Sequence, residues 1–299
     1  MRVLVSGSSG LVGSALIPAL VSGGHEVVCL VRSQPRDEAS EVRWDPQAGE
    51  IDGAGLKGVD AAVHLAGESI AAGRWTAARK DRILESRVRG TRLLAEALAG
   101  LEQRPAVLVS ASAVGYYGDR GEETLTEESD SGSAFLSEVC RQWEAATEPA
   151  VEAGMRVVNL RSGVMLSTAG GALPRLLTPF RLGVGGTLGS GKQFMSWIAI
   201  DDVVGAILHV LTTETLRGPV NAVAPQARTN REFTKTLGRV LQRPTLLPMP
   251  AFAARLAFGQ MADELLLCSQ RAEPAKLVAS GYKFRFPELE GALRHLLGK

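Results

Sequence analysis

Short apolar runs alternate with helix-length amphipathic stretches through the first half of the chain. Val3-Leu4-Val5 reads as a buried strand, followed by a glycine-rich turn and a helix to about Ser22. Val27 to Val31, Ala61 to Leu65, Val107 to Ser110 and Val157 to Leu160 read as further strands, the last preceded by a helix over roughly Ser137 to Glu152. Strands that are apolar throughout, rather than alternating, are buried on both faces, and the helices between them supply the cover. The pattern predicts an α/β fold with a doubly wound parallel sheet, and places any ligand along the carboxyl edge of the strands.

After about Leu166 the texture changes. Glycine-rich loops (Gly170-Gly171, then Gly183 to Gly191) lead to Trp197-Ile198-Ala199-Ile200, which reads as a strand. A helix from Asp201 to about Leu211 follows, and Pro219 to Val223 reads as a last strand returning to the main sheet. From Asn230 onward the chain reads as helices separated by a proline-rich crossing, Pro244 to Pro250. The expected organisation is one domain over 1–165, with a return segment at about 197–224, and a smaller substrate or lid domain over 166–299. Pro18, inside the first helix, removes one backbone bond and is expected to bend it.

The turn after the first strand is Gly7-x-x-Gly10-x-x-Gly13, and it opens the first helix. Glycine suits this place because the chain turns sharply and the backbone must come close to a pyrophosphate. Amides at the helix start, around Ser9, Leu11 and Val12, then face the phosphates together with the positive end of the helix dipole. The end of the second strand selects the cofactor. NAD binders place Asp or Glu there for the ribose hydroxyls, whereas this chain has Val31-Arg32-Ser33. A guanidinium bonds a 2′-phosphate that a carboxylate repels. Arg32, helped by Ser33, therefore points to NADP; the alternative is a solvated surface arginine. Domain 1–165 is thus read as a dinucleotide-binding domain of the Rossmann type.

Composition narrows the partners. A formal net charge of +1 on 299 residues, with basic residues scattered, gives no reason to expect nucleic acid. The uncharged stretch Val3 to Gly24 is broken by seven or more Gly, Ser and Pro positions, too many for a membrane span or a signal peptide. Three cysteines without a paired spacing and four scattered histidines support neither a metal site nor a disulfide framework. The expectation is a cytoplasmic protein, a monomer or homodimer, acting on a small molecule.

The glycine spacing, His64-Leu65-Ala66-Gly67 and Ser110-Ala-Ser-Ala-Val-Gly-Tyr-Tyr-Gly118 together resemble the extended short-chain dehydrogenase/reductase superfamily. Within it the chain resembles the NAD-dependent epimerase/dehydratase-like branch of "epimerase family proteins", which carries an additional C-terminal segment. Arg74-Trp75-Thr76, Ser86-Arg87-Val88-Arg89-Gly90-Thr91, Phe180-Arg181-Leu182-Gly183, Gly189-Ser190-Gly191, Ser196-Trp197-Ile198 and Gly281-Tyr282-Lys283-Phe284 carry that likeness over essentially the whole chain. The resemblance implies that Leu65 and Ala66 line the adenosine side, with Gly67 beside them among the cofactor-binding candidates. It implies that Ser110, Ala111 and Ser112 pass beneath the nicotinamide, with Arg161 and Val164 bordering it. Arg87 stands where many relatives carry Asn, on a helix face shared with Ile83, Thr91, Leu94 and Leu98. An arginine there needs an anionic or carbonyl partner, either the cofactor or substrate, or a buried structural pair.

The superfamily's Tyr-x-x-x-Lys dyad has no counterpart. Aligning Glu144 with the glutamate that commonly follows it puts Leu136 at the tyrosine and Cys140 at the lysine. Positioned acid/base groups contribute about 10²- to 10⁴-fold in rate, so the standard mechanism is unavailable. Ser112, Tyr117 (or its neighbour Tyr116) and Glu68 are the substitutes the sequence offers, with Cys140 a weaker one. Bland readings stand beside them: Tyr117 as pocket wall, Glu68 as a helix cap, Cys140 as a small buried hydrophobe. Gln193 and Trp197, after the glycine loop, are candidates for a substrate hydrogen bond and an apolar wall. Asp201-Asp202 reads as a helix cap and anchor. The expected function is an NADP-dependent oxidoreductase or epimerase acting on a carbonyl or nucleotide-sugar-like compound with an unusual acid; the alternative is an NADP-binding sensor without turnover.

Overall fold

A computed structural model describes residues 1–299. Eight strands form the main sheet: β1 (Arg2–Ser6), β2 (Glu26–Val31), β3 (Glu41–Asp45), β4 (Glu50–Ile51), β5 (Ala61–His64), β6 (Val107–Ala113), β7 (Arg156–Ser162) and β8 (Gly218–Ala222). Their spatial order is β8-β7-β6-β5-β1-β2-β3-β4. All neighbours are parallel except the β3–β4 hairpin at the edge. The chain winds outward from β1 to β3 and then returns to β5 on the other side. The order therefore reverses between β1 and β5, and a crevice opens beyond their carboxyl ends.

Helices α1 (Leu11–Ser22), α2 (Ala77–Ala99), α3 (Phe135–Ala145), α4 (Glu148–Glu152), α5 (Ala172–Arg181) and α6 (Ile200–Thr212) follow in order. Next come α7 (Asn230–Leu241), α8 (Ala251–Phe258), α9 (Ala275–Ala279) and α10 (Leu289–Leu297). Each sheet face has its own core. Val3, Val5 and Val63 pack against Leu16 and Leu20 of α1 and Ile207 of α6. Leu4, Ala62 and Leu108 pack on the opposite face with Leu94 and Leu98 of α2. A third cluster joins α5, α7 and α10 through Leu177, Phe233, Leu237 and Leu293.

Two elements differ from the expected ones. The stretch expected as one helix over Ser137 to Glu152 is two, α3 and α4, because Ala146 and Thr147 turn between them ahead of Pro149. Trp197–Ala199 does not join the main sheet but pairs with Val164–Leu166; only β8 returns, beside β7. Helix α1 ends at Ser22, as expected, with Pro18 inside it.

Asp202 ties the C-terminal segment to this frame. Its Oδ1 accepts from the Arg285 amide at 2.7 Å and the Tyr282 hydroxyl at 3.1 Å, and its Oδ2 from the Phe286 amide at 2.9 Å. Asp202→Ala leaves two amides without a partner. It is expected to cost about 3 kcal/mol, measured by urea denaturation, and to expose residues 280–299 to limited proteolysis.

Candidate functional site: a phosphate-binding turn and an arginine-rich crevice

The glycine turn is built to leave backbone amides free. Gly7 has φ +70°, and a Cβ there would sit 2.8 Å from the Leu65 carbonyl carbon. A Cβ at Gly13 would lie 2.3 Å from the Gly7 oxygen, inside any tolerable contact. Gly10, the residue before α1, offers no side-chain cap, and the first turn of α1 carries no acid. The amides of Leu11, Val12 and Gly13 consequently find no acceptor within the protein, an arrangement suited to phosphate oxygens. Leu11 packs under Gly170 and Gly171 at 3.3 Å from where their Cβ atoms would be, so the second half of the chain closes one side of the turn. Arg32 and Ser33, just beyond β2, are exposed, and the Arg32 guanidinium has no protein partner.

Beneath the turn, Ser6 and His64 end adjacent strands on the same face. The Ser6 hydroxyl oxygen accepts from the amides of Leu65 (3.1 Å) and Ala66 (3.3 Å) and lies 2.7 Å from His64 Nδ1. Since the hydroxyl is already an acceptor, its own hydrogen goes to Nδ1, which fixes the Nε2–H tautomer. This pair, which the sequence reading missed, holds the Leu65-Ala66 backbone against Gly7. Burial pushes His64 down to about 4, so the ring is neutral at neutral pH. In the unfolded chain it titrates near 6.5. As pH falls from there to about 4, the unfolded state binds a proton that the native state refuses. Stability is therefore lost across that window, by about 3 kcal/mol in all. Urea denaturation between pH 7 and 4 is expected to show this slope, and His64→Leu to flatten it.

Next to the turn, Arg79, Ile83, Ser86 and Arg87 of α2 hold the loop after β5. Arg87 Nη1 donates to the carbonyls of Glu68 (3.0 Å) and Ile83 (3.1 Å), and Ser86 Oγ accepts from the Glu68 amide at 3.1 Å. Its guanidinium carbon lies 4.8 Å from the Trp143 ring centroid and 3.4 Å from where a Gly67 Cβ would be. Glu68 is 41% exposed and pairs with Arg79 at 2.8 Å.

A buried network lies under β6 and β7. Arg161 grips Glu144 with two 2.8 Å bonds, Nε to Oε1 and Nη2 to Oε2. Ser112 Oγ donates to the same Oε1 at 2.6 Å. Arg161 Nη1 donates to the Tyr117 hydroxyl at 3.1 Å, and that hydroxyl donates to Asn221 Oδ1 at 2.7 Å. The Asn221 amide donates to Glu127 Oε1 at 3.0 Å. The guanidinium also lies 3.4 Å from the Tyr116 ring centroid.

The profile of the NAD dependent epimerase/dehydratase family matches residues 3–222, the whole sheet and its crevice. The chain belongs to that family. Residues 249–296 match a domain of unknown function, DUF1731. An epimerase family protein of Mycobacterium bovis is 44% identical over 97% of this chain and 96% of its own length. The crystal structure of human epimerase family protein SDR39U1 with NADPH superposes with a TM-score of 0.92 at 38% identity, covering 100% of both chains. A nucleoside-diphosphate sugar epimerase from Corynebacterium glutamicum gives 0.84 at 43% identity, covering 100% of this chain and 58% of that one.

Within this epimerase-family fold, several expected site residues have other work. Ser112 and Tyr117 were expected as catalytic groups, but both are buried, at 2% and 0% exposure, with their hydroxyls spent in the Glu144–Arg161 network. Arg161 was expected beside the nicotinamide, but its charge is neutralised inside by Glu144. Gln193 and Trp197 were expected to meet substrate. Gln193 is buried and its Nε2 donates to the carbonyls of Leu188 and Leu266, buckling the glycine loop to the C-terminal segment. Trp197 is fully buried and donates to the Gln226 carbonyl. Val164 is half-buried in the strand pairing with Trp197. Gly7, Ser9, Gly10, Leu11, Val12, Gly13, Leu65, Ala66 and Gly67 gather around one crevice, with Val31, Arg32 and Ser33 at its β2 side and Arg87 packed against Gly67. Ser110 and Ala111 lie on the neighbouring strand β6. A separate cleft of about 420 Å³, lined by Phe194, Gln226, Arg228, Glu232, Arg271 and Glu273 among others, shares no residue with it.

Proposed function

We propose that this protein binds NADP across the β1–β5 crevice and moves hydride between its nicotinamide and a carbonyl or nucleotide-sugar-like small molecule. The observation that carries the cofactor assignment is the pairing of unbonded amides at Leu11 to Gly13 with an unpaired Arg32 and no acid at the end of β2. The close relative SDR39U1, crystallised with NADPH, supports the same choice. The bound nicotinamide would supply the hydride donor or acceptor. The chain's own part is to hold phosphates on the α1 amides, fix the adenosine side with Leu65 and Ala66, and neutralise the 2′-phosphate with Arg32. Of the proposed proton-transfer residues, Glu68 and Tyr116 are part-exposed, whereas Ser112, Tyr117 and Cys140 are buried; Glu68 directly follows Gly67 at the crevice. A cytoplasmic setting fits three unpaired cysteines.

A second reading, an NADP-binding protein without turnover, draws on α3. Leu136 and Cys140, at the dyad positions, are buried at 8% and 3%, and burial pushes the Cys140 thiol up to about 12. Single-turnover absorbance at 340 nm, with bound NADPH mixed with a panel of aldehydes, ketones and nucleotide sugars, separates the two. Turnover that Glu68→Gln slows by about 10²-fold supports the enzyme; a flat trace with every compound supports the sensor.

A further inference from the structure

The crevice carries a cation that the fold itself only half uses. Both hydrogen bonds of Arg87 leave from Nη1; Nε and Nη2 make none. The group lies between Gly67 and the Trp143 indole, its central carbon 4.8 Å from the ring centroid, and the two carbonyls bonded to Nη1 hold it there. Trp143 and Cys140 are one turn apart on α3, on the face that meets α2. Cys140 Sγ lies 3.6 Å from the Ala113 carbonyl at the end of β6 and near the space above Gly115. The Arg87 charge is close enough to that thiol for each to alter the other's titration. Arg87 thus delivers a permanent positive charge, from a different helix, beside the place where the dyad lysine is missing.

We propose that Arg87 supplies, from α2, the cation that the Cys140 position lacks, donating through its free edge to the hydroxyls of the nicotinamide-side ribose. The inference rests on the NADP reading above and deepens it. Guanidinium cannot lose its proton at working pH, so Arg87 holds and polarises but does not shuttle protons. It accounts for a cofactor site retained while Cys140 is apolar and inert.

The test compares two ligands: NADPH, which has the second ribose, and adenosine 2′,5′-bisphosphate, which has only the Arg32 end. Titrations are followed by protein and nicotinamide fluorescence, on wild type, Arg87→Gln and Arg87→Gln/Cys140→Lys, with ligand-free melting curves to verify folding. Arg87→Gln is expected to weaken NADPH about tenfold or more and the bisphosphate by less than about twofold. Lysine at 140 in that background is expected to recover most of the loss. Equal weakening of both ligands overturns the proposal, because Arg87 is then only a fastener for the Glu68 turn; so does no weakening of either, or a folded double variant that binds NADPH no better than Arg87→Gln. If Arg87→Gln does not fold, Arg87→Lys replaces it in the same two-ligand comparison. Wild type that binds neither ligand refutes the NADP reading itself, a result distinct from all of these.

Discussion

Glu144→Ala is expected to lower the unfolding free energy by about 3–5 kcal/mol, the range for breaking a buried ion pair from one side. Glu144 and Arg161 are 12% and 3% exposed and share two 2.8 Å bonds. Removing the carboxylate strands a guanidinium that has only Tyr117 and the Glu127 carbonyl left to bond. It also frees the Ser112 hydroxyl. Because the network joins β6, β7, α3 and β8, the loss should appear as one cooperative shift in the urea midpoint. Replacing both partners by methionine is expected to return most of the stability, since the cost lies in the unpaired charge rather than in the missing bond. A single variant within about 1 kcal/mol of wild type would show that water reaches the pair and the network is not closed.

The second large effect belongs to Gly13→Ala. The new methyl group would lie 2.3 Å from the Gly7 oxygen and 2.8 Å from Ser8 Cα. Both are backbone atoms, and Gly7 itself is pinned against Leu65 and Ala66. The turn must open to admit the methyl group, which displaces the free amides of α1. NADPH affinity is expected to fall by about 10²-fold or more, the loss of several charge-assisted bonds together. Fluorescence titration reads it. Gly53→Ala, at a glycine with nothing within 4 Å, is the matched control and should bind as wild type does.

Much of the fold was legible because its signal is local. Unbroken apolar runs marked the central strands, and the glycine spacing marked the turn. Strand β3 escaped because Glu41-Val-Arg-Trp-Asp45 alternates polar and apolar residues, with only Val42 and Trp44 buried, and so lacks the unbroken apolar run of the central strands. Half of the site was equally legible: a backbone cradle announces itself through glycines. The side chains after β6 were not. Ser112, Tyr117 and Arg161 sit at strand ends, where catalytic groups collect, and nothing local says that Glu144, Asn221 and Glu127 come from elsewhere to absorb them. Gln193 and Trp197 misled for the same reason, since a polar and an aromatic residue after a glycine loop suit a buckle as well as a pocket. His64 was present in the motif, but its bond to Ser6 depends on two strands apart by 58 positions lying in register.

In the proposed function, the open end of β2 reads the 2′-phosphate of NADP. Equilibrium titration of the purified protein with NADPH and NADH, repeated on Arg32→Ala, tests it most directly. A preference for NADPH of about 10- to 10²-fold that collapses in the variant, with NADH binding unchanged, is the predicted result. Equal binding of the two dinucleotides by wild type, or a preference that survives Arg32→Ala, would contradict it.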